Sequence, residues 1–308
     1  MNANDRYTKI TQTIIEALEK GSAEGWKIPW SFVQNTPINL VTGKAYRGIN
    51  ILTLAAEAYK RGFEAREWLT FKQASKLGFS VRKGETSSMV VFFKPLQIAD
   101  ESVEATEDNP NPTVQIPFMQ HSCVFNVQQL EGYTFEKTDL PSREFVPIEE
   151  AQRIICNSQA NIEHVLGNRA FYSTFQDKIV LPQKHQFASE AEYYSVALHE
   201  LTHWTGHDTR LNRSLENSFG SEAYAFEELV AEIGATFMCN HVGIEAQTMD
   251  SHTNYLKSWL KVLKNDNRAI FKAARLAQKA SDFLLKVEYE FADNEESDCQ
   301  VTKQAKAA

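Results

Sequence analysis

Residues 199–203 of this 308-residue chain read His-Glu-Leu-Thr-His, and that pentapeptide constrains the fold more than any other feature. On an α-helix, side chains four apart lie one above the other, so His199 and His203 can reach a single ion together. Glu200 lies beside them and can serve as the general base of a hydrolytic site. The flanks favour a helix as well. Ser189 and Glu192 have the spacing of a capping box, and Gly206 stands where a helix would end on a C-terminal cap.

A catalytic site of this kind needs a third protein ligand and one open position. One class of zinc peptidases supplies a histidine six residues after the second, but here that position is Thr209. The other solution is a carboxylate from a later helix. EELVAE at 227–232 offers Glu228 and Glu232, four apart on one face, with Ala231 and Ala235 small enough for a close approach. His207, one turn past His203, competes with Glu228 for the third place. The pattern Glu228-x-x-Ala231-Glu232 resembles the ExxAD or ExxxD helix of glutamate-type zinc peptidases. That resemblance implies Glu228 as the ligand and Glu232 as the group orienting a histidine through its free ring N–H. The expected ion is Zn²⁺, and Mn²⁺, Fe²⁺ or another divalent transition metal also suits a His/His/Glu set. His121, His164, His185, His241 and His252 have no spacing that recruits them.

With 43% hydrophobic and 23% charged residues the chain has ordinary globular composition, and no run of eighteen apolar residues offers a membrane span. The N-terminal twenty residues form an amphipathic helix pattern without the apolar core of a signal peptide. Four scattered cysteines with no CxxC pair indicate a reduced, cytoplasmic protein whose cysteines bind no metal. The net charge of −8 conceals an asymmetry. Residues 1–98 hold 14 Lys/Arg against 8 Asp/Glu, a net of +6, and the remainder is therefore −14. A basic half rich in aromatics points to a polyanionic partner.

The expected fold class is α+β in two domains: residues 1–135, a linker at 136–146, residues 147–290, and a polar tail at 291–308. The first domain reads as helix (5–20), a short strand near the Thr42–Gly43 turn, helices at 50–61 and 70–77, then two strands flanking an acidic, proline-ended loop at 99–112. The second reads as helix (148–158), strands near 162–165, 169–174 and 177–181, and helices near 189–205, 221–240, 252–265 and 267–285. AFYSTFQDKIVLP precedes the metal motif, and a strand there could pair an extended peptide or simply be scaffold.

The first domain combines cations with rings: Lys44, Tyr46, Arg47, Trp68, Lys72, Arg82 and Lys83. Cations that follow phosphates and aromatics that stack on bases make a single-strand-binding surface. Trp26, Trp30 and Phe32 also suit core anchors. TGKAYRGIN, WLTFKQASKLGFSVRKGE and FNVQQLEG resemble the N-terminal domain of ArdC-type antirestriction proteins, which also begins certain plasmid primases. HELTHWTGHDTRLNR, YAFEELVAEIGATF and NYLKSWLKVLKNDNRAIFKAARLAQKA resemble the zincin-like metallopeptidase domain that follows it there. The resemblance runs from about residue 5 to 288. It implies a single-stranded-DNA-binding domain, a zincin-like domain, and protection of incoming conjugative DNA from host restriction, with a host protein or restriction enzyme as a peptidase target. Two other functions compete: a DNA-binding protein with a catalytically silent zincin domain, and a general cytosolic metallopeptidase.

Overall fold

The structure, a computed structural model, describes residues 3–23, 36–99, 113–135, 146–187, 189–213, 215, 221–244 and 253–286. Trp26, Trp30, Phe32, His252, most of the 99–112 loop, residues 136–145 of the expected linker and the polar tail lie outside them.

The chain begins with α1 (Ala3–Ala23), which buries Ile10, Ile14, Ala17 and Leu18 at helical spacing. There follow β1 (Ile38–Asn39), α2 (Ile49–Arg61), β2 (Glu67–Thr70), α3 (Phe71–Lys76), β3 (Ser80–Val81), β4 (Ser88–Ala99), β5 (Thr113–Asn126) and β6 (Leu130–Glu131). The main sheet has the order β1-β2-β5-β4, with β1 parallel to β2 and the other neighbours antiparallel. β3 and β6 form a separate antiparallel pair. The sequence pattern predicted no strand at 67–70. Those four residues extend because they fill the gap between β1 and β5, and Thr70 then caps α3 through a capping box with Gln73. Asn50 of α2 clamps the β4 edge, donating to Val91 O at 2.7 Å and accepting from Val91 N at 2.8 Å. Farther along the ribbon Pro95 opposes Pro117, and neither can donate an N–H to an added strand.

The second half starts with α4 (Val146–Ser158) and a three-stranded sheet of β7 (Asn161–Val165), β8 (Phe171–Ser173) and β9 (Lys178–Pro182). Its order is β7-β9-β8, with β7 parallel and β8 antiparallel to the central strand. Four helices complete it: α5 (Glu190–Trp204), α6 (Glu222–Val242), α7 (Thr253–Asn265) and α8 (Ala269–Leu285). α6 is buried on every side over Glu227–Asn240, which makes it the axis of this half.

The two halves meet through apolar packing. One cluster joins Ile14 and Leu18 of α1, Leu52 of α2, Val91 and Met119 of the sheet, Ile233 of α6, Trp259 of α7 and Ile270 of α8. Polar ties flank it: Arg47 reaches Asp282 at 2.6 Å, the Gly48 amide donates to Gln278 Oε1 at 2.9 Å, and Thr11 Oγ1 donates to the Asn267 carbonyl at 2.7 Å. A linker is therefore not the sole connection between them. Their relative placement is set by a shared core.

Candidate metal centre

α5 and α6 cross with their functional side chains facing one another. Ser189 caps α5 by accepting from the Glu192 amide at 3.1 Å, and the helix carries His199, Glu200 and His203 into the interior. His199 Nε2 stands 3.6 Å from Glu228 Oε2, and His203 Nε2 stands 3.5 Å from Glu228 Oε1. One donor atom from each of the three lies within 4.8 Å of the others, close enough to share an ion. Glu232, one turn beyond Glu228, faces the opposite ring nitrogen of His199, with 3.6 Å between Oε2 and Nδ1. Glu200 is buried in the same place, 5% exposed. His207 turns its Nδ1 toward Asp208 and Thr209, at 2.8 Å each, and stands outside the group.

Two members of the site carried no signal in the sequence analysis. Glu227 Oε1 lies 3.3 Å from His203 Nδ1, and Arg213 Nη2 donates to the same oxygen at 2.8 Å. Glu227 sits in the EELVAE segment itself, where its rotation of about 100° from Glu228 aims it past Glu228 at the second histidine. Arg213 comes from the irregular segment after α5, where no periodicity could point to it. Gly206 differs from the expectation too. Its φ is not in the left-handed region, and Thr205, not Gly206, is the C-cap. Space explains the glycine: a Cβ there would meet the Arg213 guanidinium and Leu215 at 2.9 Å. Arg210 fixes the end of α5 to the small sheet, bonding both Asp177 oxygens and lying 3.9 Å over the Trp204 ring.

The electrostatics fit a cation. Burial pulls both imidazoles toward the neutral form, yet Glu228 and Glu232 outweigh it and raise His199 well above the ordinary value. Against the same burial, Glu227 and Glu228 push His203 up to about 9. Glu228 is itself held far below the usual carboxylate range: its bonds to the two histidines overcome desolvation. Four buried glutamates therefore face two imidazoles and one guanidinium, a pocket that calls for added positive charge. Two imidazole nitrogens and a carboxylate are a donor set that suits a divalent transition metal.

The proposed DNA-facing residues scatter more. Lys44, Lys72 and Lys83 are exposed. Arg82 is anchored to Glu85 at 2.8 Å and to the Gln128 carbonyl at 2.6 Å, and Arg47 is tied to Asp282. Tyr46 is half-buried against an apolar cluster. Trp68 corrects the sequence expectation outright. It is 1% exposed among Leu54, Val90 and Val124, with Phe63 edge-on at 6.0 Å, so no base can stack on it. Three residues along, at the exposed first position of α3, Phe71 presents its ring instead, 52% exposed.

A helix bearing two histidines, crossed by a helix bearing the third donor, defines a zincin-like metallopeptidase domain, and the family of that description matches residues 149–276. Residues 4–125 match the N-terminal domain of anti-restriction factor ArdC. The chain belongs to the ArdC antirestriction family. It is 35% identical to the antirestriction ArdC protein of plasmid R388, whose metal-free crystal structure superposes with a TM-score of 0.72 over 91% of this chain and 96% of that one. The Mn(II)-bound structure of that protein matches at a TM-score of 0.71. An uncharacterized protein of Sinorhizobium fredii, y4eC, is 37% identical over 285 residues, 91% of each chain. The DNA primase TraC of Escherichia coli is also 37% identical, but the alignment covers 92% of this chain and 27% of that longer protein. Among the described residues no helix is long and apolar enough to cross a membrane.

Proposed function

We propose that this protein binds single-stranded DNA through its first domain and cleaves a protein through a metal site in its second, protecting incoming conjugative DNA from host restriction in the cytoplasm. The carrying observation is the convergence of His199, His203 and Glu228 beside an intact, buried Glu200. We assign DNA binding to residues 1–135 and the metallopeptidase to 147–290, a reading supported by the family matches at 4–125 and 149–276.

His199, His203 and Glu228 would hold the metal, Zn²⁺ in the first instance, with Mn²⁺ supported by the ion bound to the R388 relative. When bound, such an ion polarises a scissile carbonyl and makes water a stronger acid. The chain's own residues do the rest. Glu200 takes a proton on its carboxylate from the attacking water and returns it to the departing amine nitrogen. The Glu232 carboxylate, 3.6 Å from His199 Nδ1, favours a proton on that nitrogen and leaves the ring's other nitrogen turned toward Glu228. The buried crossing of α5 and α6 excludes bulk water and strengthens every charge interaction inside.

On the first domain Phe71 replaces Trp68 as the stacking ring. It adjoins Lys72, and the basic turn with Lys44 is held beside α3 by the Asn39–Gln73 hydrogen bond of 3.1 Å. A ring flanked by cations suits successive bases and phosphates of one strand.

A silent zincin domain would need no general base, and the retained Glu200 speaks against it. The deciding experiment compares wild type with Glu200→Ala, both folded and metal-loaded, during conjugation into a restricting recipient. Loss of protection with unchanged DNA binding makes hydrolysis part of the function. Full protection by the variant overturns the peptidase role.

A further inference from the structure

The guanidinium of Arg213 is buried, 4% exposed, and its donors are distributed over one small region. Nη2 donates to Glu227 Oε1 at 2.8 Å and to the Thr202 carbonyl at 2.6 Å, and Nη1 donates to Thr205 Oγ1 at 2.8 Å. Nε faces both Glu227 oxygens at 3.2 Å. The arginine thus grips the last turn of α5 and a carboxylate of α6 at once. Gly206 provides the surface on which it lies, since any larger residue there would displace it. The Glu227 Oε1 that accepts from Arg213 Nη2 also lies 3.3 Å from His203 Nδ1.

We propose that Glu227, fixed by Arg213, is a positioning residue for His203: it accepts the Nδ1 hydrogen and so commits Nε2, 3.5 Å from Glu228 Oε1, to the metal. The inference rests on the metal-centre reading above. An imidazole on a helix can rotate about its Cβ–Cγ bond and present either nitrogen, and a carboxylate on one nitrogen removes that choice. It also makes the opposite nitrogen a stronger donor. Arg213, always cationic, donates to that carboxylate at 2.8 Å and favours its ionised, accepting form. The two histidines accordingly have separate partners on one helix, Glu232 for His199 and Glu227 for His203, with Glu228 between them. Glu227 is gripped by a buried cation from the segment that follows α5. Arg213 therefore sets the distance between α5 and α6 as well as the ring.

The test measures Zn²⁺ affinity of the full chain by competition with a chromogenic chelator, for wild type, Glu227→Gln, Arg213→Met and the double variant. Glu227→Gln is expected to bind about 10–100-fold more weakly. The double variant leaves no buried charge unpaired, so its Tm recovers toward wild type while its Zn²⁺ affinity stays low. A merely structural ion pair predicts the reverse, with affinity recovering together with Tm. Should Glu227→Gln fail to fold, the double variant carries the same comparison. Visible absorption of the Co²⁺-loaded protein gives a second readout, in which a released His203 ring shifts the bands. The proposal is overturned if the folded variants bind Zn²⁺ within about two-fold of wild type, well short of the loss expected for a ligand-orienting partner, while Glu228→Ala binds none. If Glu228→Ala binds as wild type does, the metal-centre reading itself has failed and this inference goes with it.

Discussion

Gly234 of α6 and Thr202 of α5 touch so closely that a Cβ built on the glycine would lie 2.6 Å from Thr202 Cγ2. Thr202 cannot yield easily. It is completely buried and its hydroxyl donates to the Leu198 carbonyl at 2.9 Å. This contact fixes the crossing that brings Glu228 to the two histidines. Gly234→Ala is expected to destabilise by about 1–3 kcal/mol through overpacking and to weaken Zn²⁺ binding, because α6 must retreat. Adding Thr202→Ala should recover much of both. Thermal melts with and without Zn²⁺ check this, and an unchanged Zn²⁺ affinity in Gly234→Ala would show that the crossing tolerates the methyl.

Removing the carboxylate donor is the direct test of the ligand set. Glu228→Ala should lose stoichiometric metal while retaining affinity for single-stranded DNA, since Glu228 belongs to the interior of the second half. Metal content by atomic emission and DNA binding by fluorescence anisotropy separate the two. Full metal content in the variant would refute Glu228 as the ligand.

Arg210 and Asp177 give a pH signature remote from the metal. The hydrogen bond from Arg210 is the largest influence on Asp177 and, with that from Tyr172, holds its carboxyl below the ordinary value of 3.8. A carboxylate depressed in the folded state adds stability above its unfolded pKa and loses it as pH falls through the folded one. Asp177→Asn should therefore lower Tm at neutral pH, and the gap to wild type should close below pH 3.8. Melts of both proteins between neutral and acid pH decide it: a gap that persists at the acid end means the ion pair is not its source.

Trp68 and Phe71 should behave oppositely. Trp68→Ala empties a core position and is expected to cost about 3–5 kcal/mol. Phe71→Ala should leave stability within about 0.5 kcal/mol, as surface changes do. Its effect falls on single-stranded DNA, where losing one stacking ring costs about 1–3 kcal/mol. Equal DNA affinity for Phe71→Ala and wild type would remove Phe71 from the binding surface, and absent binding by wild type would remove the DNA reading altogether.

Much of this protein was legible from local pattern. His199, Glu200 and His203 share a helix, and so do Glu228 and Glu232; helical spacing is a property of neighbours in sequence, so each face could be read without the fold. The eight α-helices among the described residues and the longer strands followed from the same periodicities. What needed the tertiary structure involves partners far apart in the chain. Burial decided that Trp68 belongs to the core and Phe71 to the surface, although both lie in one aromatic, basic segment. A contact across an irregular turn decided that Gly206 makes room for Arg213 and is no left-handed cap. The pairing of Glu227 with His203, and the common core that joins α1 and α2 to α6, α7 and α8, depend on how helices are rotated and crossed. Periodicity determines which face of a helix is apolar; only packing determines what that face meets.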